Sequence, residues 1–180
     1  VRDAEAMATM LRAIDECPHP VIARLHGAAL GGGCGLAAVA DIAIAADDTI
    51  FGFSEVKLGI LPAVISPFVV AKIGVSQARA LFLTGERFDA ARARAIGLVH
   101  HVEPLAGLDA RVDALVAEFA TSSPTGVARA KALIPQVAVL SPAEASSLTA
   151  NAIAAQRISP EGQEGLRAFL ERRTAAWDEG

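Results

Sequence analysis

The chain has 180 residues, 53% of them hydrophobic and 4% aromatic, which is enough apolar material for one substantial core and little for a second ordinary domain. A net charge of −4 with scattered Lys and Arg excludes nucleic-acid binding through clustered cations, and Cys17 and Cys34, without CxxC or Cys/His spacing, exclude a disulfide framework and a zinc site. The longest apolar run, residues 60–71, holds two prolines and is too short to span a bilayer, so no transmembrane segment or signal peptide is expected, and the free thiols suit the cytoplasm.

Residues 2–15 place Ala6, Met7, Met10, Leu11 and Ile14 at helical spacing, and the prolines of "CPHP" end that helix. Residues 21–27, 41–47 and 49–53 read as strands, with a glycine cluster and a short helix, "LAAVA", between the first two. Three capped helices follow: 66–74 from Ser66 and Pro67 to Gly74, 76–85 from Ser76 to Gly85, and 89–97 from Asp89 to Gly97. A short strand, "LVHHV", comes next. From about 105 the pattern is helical, punctuated by Pro124, Pro135, Pro142 and Pro160. These patterns predict an α/β part over 1–103 and a helical part over 104–180. A mean hydropathy of +0.42 with so few aromatics predicts that apolar surface meets another subunit. Val1 is not an initiator residue, and a longer natural product is expected.

The stretch "HGAALGGGCGLAAVAD", residues 26–41, carries the densest signal. Gly27 and Gly32 have Walker A spacing, but Gly33 and Cys34 stand where Lys and a hydroxyl are needed. "GCGLAA" satisfies the dinucleotide pattern G-x-G-x-x-A, with Asp47 as a ribose acid, yet its first glycine lies too far beyond the strand ending near Leu25. An esterase-type oxyanion loop would need a G-x-S-x-G elbow, which "GFSEV" does not complete. Three glycines opening a helix remain. Their backbone N–H groups lack helical partners and suit an oxygen gaining negative charge, while close helix-to-strand packing is the structural alternative.

An oxyanion site needs a proton carrier. Glu55, among Phe53, Val56 and Leu58, is the carboxylate in apolar surroundings suited to acid/base work; pairing with Lys57 or a backbone amide is its structural alternative. Asp89 reads as a helix cap, with Arg87 placed to pair with it or with Glu86. The four histidines have no acid partner at triad or metal spacing.

Together, "PVIARLHGAALGGGCGLAAVADIAIAADDTIFGFSEVKLGILP" and "ALFLTGERFDAARARAIGLV" resemble the enoyl-CoA hydratase/isomerase (crotonase) superfamily along nearly the whole chain, in order and spacing. The resemblance implies a spiral of ββα turns with a C-terminal helical trimerisation region, assembled as a trimer or a dimer of trimers. It implies an acyl-CoA thioester substrate, coenzyme A being part of the substrate and no separate cofactor or metal being needed. The Gly32 N–H would be one of two oxyanion donors, the second coming from a loop that in the family precedes residue 1. Gly31, Gly33, Gly35, Leu58 and Pro62 would contact substrate.

Glu55 falls on the family's downstream catalytic glutamate, whereas the upstream one of two-glutamate hydratases is Gly35 here. "FSEVKLGILPAVISPFVV" is most similar to branched-chain members of the methylglutaconyl-CoA and carboxygeranoyl-CoA hydratase type. "AFLERR" resembles the family's A-F-x-x-K-R, which puts Phe169 and Arg172 near the coenzyme A of a neighbouring subunit, although a plain amphipathic helix also explains it. The expected function is hydration of a 2-enoyl-CoA. The alternatives are a double-bond isomerase using Glu55 alone, or a CoA-binding assembly subunit of low activity.

Overall fold

The structure is a computed structural model that describes residues 1–178. It contains two compact units, Val1–Cys17 with Val21–Asp113, and Pro18–Pro20 with the residues from Ala114 onward. The first unit runs past the division expected at 103. Leu108 is fully buried, Asp109 pairs with Arg24, and the Arg111 guanidinium lies against the His101 ring, so this stretch belongs to the α/β core.

In the first unit, helix α1 (Arg2–Asp15) turns Met7, Leu11 and Ile14 toward the core, while Met10 points outward at 44% exposure. Strands β1 (Ile22–Leu25) and β2 (Ala28–Leu30) precede helix α2 (Gly32–Val39). Strands β3 (Ile42–Ala46) and β4 (Ile50–Gly52) precede a 3-10 turn (Ser54–Leu58) and helix α3 (Ser66–Thr84). Strand β5 (Arg87–Asp89), helix α4 (Ala90–Ala95) and strand β6 (His101–Glu103) complete it.

Successive strands enter different sheets. One sheet is β1-β3-β6, all parallel, and the other is β2-β4-β5, with β2 and β4 parallel and β5 antiparallel to β4. Each strand–strand–helix turn therefore advances the chain by one strand in both sheets, and the next turn stacks on it. Asp41 Oδ2 accepts from Val21 N–H at 2.7 Å, fastening the start of one turn to the next. Phe51 and Phe53, both fully buried, pack with Phe88 and Phe82 in the core.

Strands β2 and β5 are absent from the sequence expectation. Each has three residues, too few for an alternation to register. The helices expected at 66–74 and 76–85 run into one another across a kink at Gly74 (φ 76°, ψ 161°), and neither serine caps them: Ser66 is already helical and its hydroxyl donates to Ala63 O. Asp89 does cap α4, accepting from Arg92 N–H at 2.8 Å, but Glu86 pairs with Arg92 rather than with Arg87.

In the second unit, helices α6 (Pro124–Val137), α7 (Pro142–Arg157) and α8 (Pro160–Glu171) follow α5 (Leu108–Ala120), which begins in the first unit. Ser123, Ser141 and Ser159 cap α6, α7 and α8, and Ser141 with Glu144 forms a capping box. Glu161 accepts from the Ser123 and Thr125 hydroxyls, joining the first turns of α8 and α6. No helix among the described residues is long and apolar enough to cross a membrane.

The chain after α8 is held by Arg173, whose guanidinium bonds both oxygens of Glu164 at 2.6 and 3.0 Å. Trp177, the sole tryptophan, then packs on Gly165 and donates to Thr121 O. The Arg173 hydrogen bonds hold the Glu164 carboxyl down at about 2, against an ordinary value of 4.5. A depressed carboxylate contributes stability that is complete above the unfolded value and is lost as the pH falls toward the folded one. Tryptophan emission should therefore shift between pH 4.5 and about 2, and Glu164→Gln should show the shifted emission already at neutral pH.

Candidate active site

The chain turns from β2 into α2 at Gly31, with φ 51° and ψ −113°, a backbone shape that L side chains resist. Gly31 N–H donates to Gly52 O at 2.8 Å, hanging the turn from the end of β4. Cys34 donates its thiol to Ala29 O at 2.9 Å and to the same Gly52 O at 3.6 Å. Burial pushes that thiol up to about 12, so it serves as a buried donor and not as a nucleophile.

The first bond reaching back from α2 is Gly35 N–H to Gly31 O at 3.2 Å. The N–H groups of Gly32, Gly33 and Cys34 thus open the helix without a backbone acceptor, at its positive end. A Cβ added at Gly33 would meet Ala29 Cβ at an ordinary 3.7 Å, whereas one at Gly32 would press on Met7 Cε at 3.0 Å. Met7 therefore covers the glycine whose amide is the candidate donor.

Glu55 comes from the 3-10 turn after β4, and its Oε1 lies 3.0 Å from where a Cβ on Gly31 would stand. Its Oε2 is buried and accepts no hydrogen bond. The alternative partner, Lys57, lies instead along Gly85, with its Cγ and Cε about 3.1 and 3.2 Å from the Cβ position there. A carboxylate oxygen buried without a donor costs about 1–3 kcal/mol and calls for a functional explanation. It sits beside a helix start rich in free N–H groups, and together they offer a proton acceptor and an oxyanion site a few ångströms apart.

One turn further along α2, a Cβ at Gly35 would fall 2.3 Å from Ile65 Cγ2. The position the resemblance assigns to a second carboxylate is thus filled by a buried isoleucine. Leu58 ends the 3-10 turn at 75% exposure, and Pro62 is buried. Phe169 and Arg172 belong to the second unit. Phe169 is exposed on α8, and Arg172 closes that helix in the left-handed conformation, φ 54°. A cavity of about 590 Å³ in that unit, lined by Arg129, Leu133, Thr149 and Gln156 among others, includes neither of them.

Met7, Cys34, Gly52 and Ile65 escaped the sequence reading. Met7 looks like an ordinary core residue in its helical pattern and Ile65 like one just before a helix, and only contacts distant in sequence reveal their place. The strand β2 also alters the ground for rejecting a dinucleotide fold. Its end abuts Gly31, so strand-to-glycine spacing is short after all, and the two separate three-stranded sheets exclude the single doubly wound sheet.

Among solved structures, an enoyl-CoA hydratase from Shewanella pealeana ATCC 700345 matches with a TM-score of 0.92 at 40% identity, over 98% of this chain and 66% of that one. Pseudomonas aeruginosa AtuE matches with a TM-score of 0.91 at 39% identity, over 97% of this chain and 68% of that one. Turns of strand, strand and helix wound through two sheets, with helices after them, define a crotonase-fold protein. The chain belongs to the enoyl-CoA hydratase/isomerase family, whose profile matches residues 3–180. A probable mitochondrial enoyl-CoA hydratase of Dictyostelium discoideum is 35% identical over 159 residues, 88% of this chain. The chain spans less than two thirds of such curated relatives, 57% of that one and 62% of a Thermus thermophilus relative.

Proposed function

We propose that this chain carries the acyl-thioester chemistry of a hydratase acting on a 2-enoyl-CoA. The thioester oxygen accepts from Gly32 N–H at the start of α2. Glu55 takes a proton from water as the water oxygen bonds to C3, and the C2–C3 π electrons move to the thioester oxygen as an enolate. The enolate collapses, C2 takes a proton back from Glu55, and a 3-hydroxyacyl-CoA leaves. One carboxylate can serve both steps because the proton it gains is the one it returns. A single oxyanion donor of this kind is worth about 3–4 kcal/mol of barrier.

The observation that carries the proposal is the unpartnered Glu55 Oε2 beside the free N–H groups of α2. Around this centre, Gly31, Gly33, Leu58 and Pro62 contact substrate, Gly35 being covered by Ile65 instead, and a branched acyl group of the methylglutaconyl type is the candidate cargo. Phe169 and Arg172 approach the coenzyme A of a neighbouring subunit, the helices beyond 103 build a trimer or a dimer of trimers, and the enzyme works in the cytoplasm without a further cofactor.

The filling of the Gly35 position by Ile65 favours a second reading, a double-bond isomerase in which Glu55 carries a proton between C2 and C4. The complete polypeptide given a 2-enoyl-CoA in 18O-water separates the two. Hydration removes the conjugated-thioester absorbance and places 18O in the product. Isomerisation instead produces that absorbance from a 3-enoyl-CoA with no 18O uptake. Binding of acyl-CoA with neither reaction would leave a CoA-binding assembly subunit.

A further inference from the structure

Gly31, the residue before α2, and Gly35, on its first turn, leave a strip of bare backbone at the start of the helix. Glu55 Oε1 rests on the upper end of that strip and Ile65 Cγ2 on the lower, at 3.0 and 2.3 Å from the respective Cβ positions. Both side chains belong to the single segment that joins β4 to α3.

Within residues 54–65 of that segment, Leu58, Ile60 and Leu61 are exposed at 75%, 59% and 69%, and the buried residues are Pro62 and Ile65. A run of local bonds connects the two ends: Ile60 N–H to Glu55 O, Ala63 N–H to Leu61 O, Ser66 N–H to Ala63 O and Val69 N–H to Ile65 O. The Glu55 carboxylate itself accepts nothing at its buried oxygen, so no polar contact fixes that oxygen in place. Its placement depends on how the segment seats against α2.

We propose that Ile65 is a positioning residue for Glu55, seating the 54–65 segment on the glycine strip of α2 so that the carboxylate stands beside the helix's opening amides. This rests on the role given to Glu55 above. The fit at Gly35 is closer than any added carbon allows, since real Cβ contacts stay beyond 3.0 Å. A methyl at 35 must push Ile65 outward by most of an ångström, and Ile65 takes the segment with it. A misplacement of about 1 Å in a reacting group costs on the order of 100-fold in rate.

The test is a compensation cycle in the complete polypeptide: Gly35→Ala, Ile65→Ala and the double variant, each assayed with a 2-enoyl-CoA and a 3-enoyl-CoA and normalised to folded protein. Gly35→Ala should lose kcat by about 100-fold with KM within a few-fold. The double variant, which removes Cγ2 and supplies a methyl across the same gap, should recover most of it. A parallel readout needs no turnover. In protein carrying 13C at glutamate Cδ, the Glu55 resonance, assigned as the one lost in Glu55→Gln, should move in Gly35→Ala and return in the double variant. A merely structural Ile65 would lower the thermal midpoint of Gly35→Ala while leaving both kcat per folded chain and the Glu55 resonance unmoved, and that result overturns the proposal. Should Glu55→Gln keep full activity while the resonance follows the cycle, the catalytic role of Glu55 fails and the positioning by Ile65 stands.

Discussion

Glu55→Gln should lower kcat with an enoyl-CoA by roughly 10²–10⁴-fold, the range expected for removing a general acid/base. The amide keeps the shape of the carboxylate but cannot accept the proton. Because the buried Oε2 accepts no hydrogen bond in the native structure, no bond there is lost on substitution. The thermal midpoint should therefore hold while activity collapses. Stability and turnover measured on one preparation separate this outcome from misfolding. Retention of activity in the folded variant would remove Glu55 from the chemistry.

Gly31→Ala should be damaging in two ways at once. A left-handed backbone costs an L residue about 1–2 kcal/mol, and the new methyl would stand 3.0 Å from Glu55 Oε1. For a chain of this size that strain corresponds to a fall of roughly 2–8 °C in the thermal midpoint. The larger loss is kinetic. Gly31 also hangs the α2 start from Gly52 O, so moving it disturbs the amides of Gly32 and Gly33 together with the carboxylate. We expect a drop in kcat/KM of about 100-fold or more. Gly107→Ala is the control, since a Cβ there meets nothing within 4 Å and the backbone is ordinary; its stability should stay within about 0.5 kcal/mol.

Much of the scaffold was readable along the chain because its signals are local. The apolar spacing of α1, the Asp89 cap on α4 and the prolines that open α6, α7 and α8 each depend on residues a few positions apart. Where a signal needed length or distance, it failed. β2 and β5 exist because β4 offers them a ladder, and their three residues would not hold an extended shape alone. Ser66 and Ser76 look like caps, but the chain enters α3 already helical at Ile65 and passes Gly74 with a kink instead of a stop.

The candidate site divides in the same way. Three glycines opening a helix and one glutamate in apolar surroundings stand out in the sequence, because an exposed amide needs a missing side chain and a proton carrier needs a carboxylate. The sequence by itself determined the types of group available, the family that shares their spacing and the prolines that begin the last three helices. Only the tertiary structure decided that Gly31 is the residue against which Glu55 rests, that Met7 covers Gly32, and that Ile65 occupies the space at Gly35. Those are contacts between elements, set by close packing of side chains far apart in the chain, and packing of that kind leaves no periodic trace in any one segment.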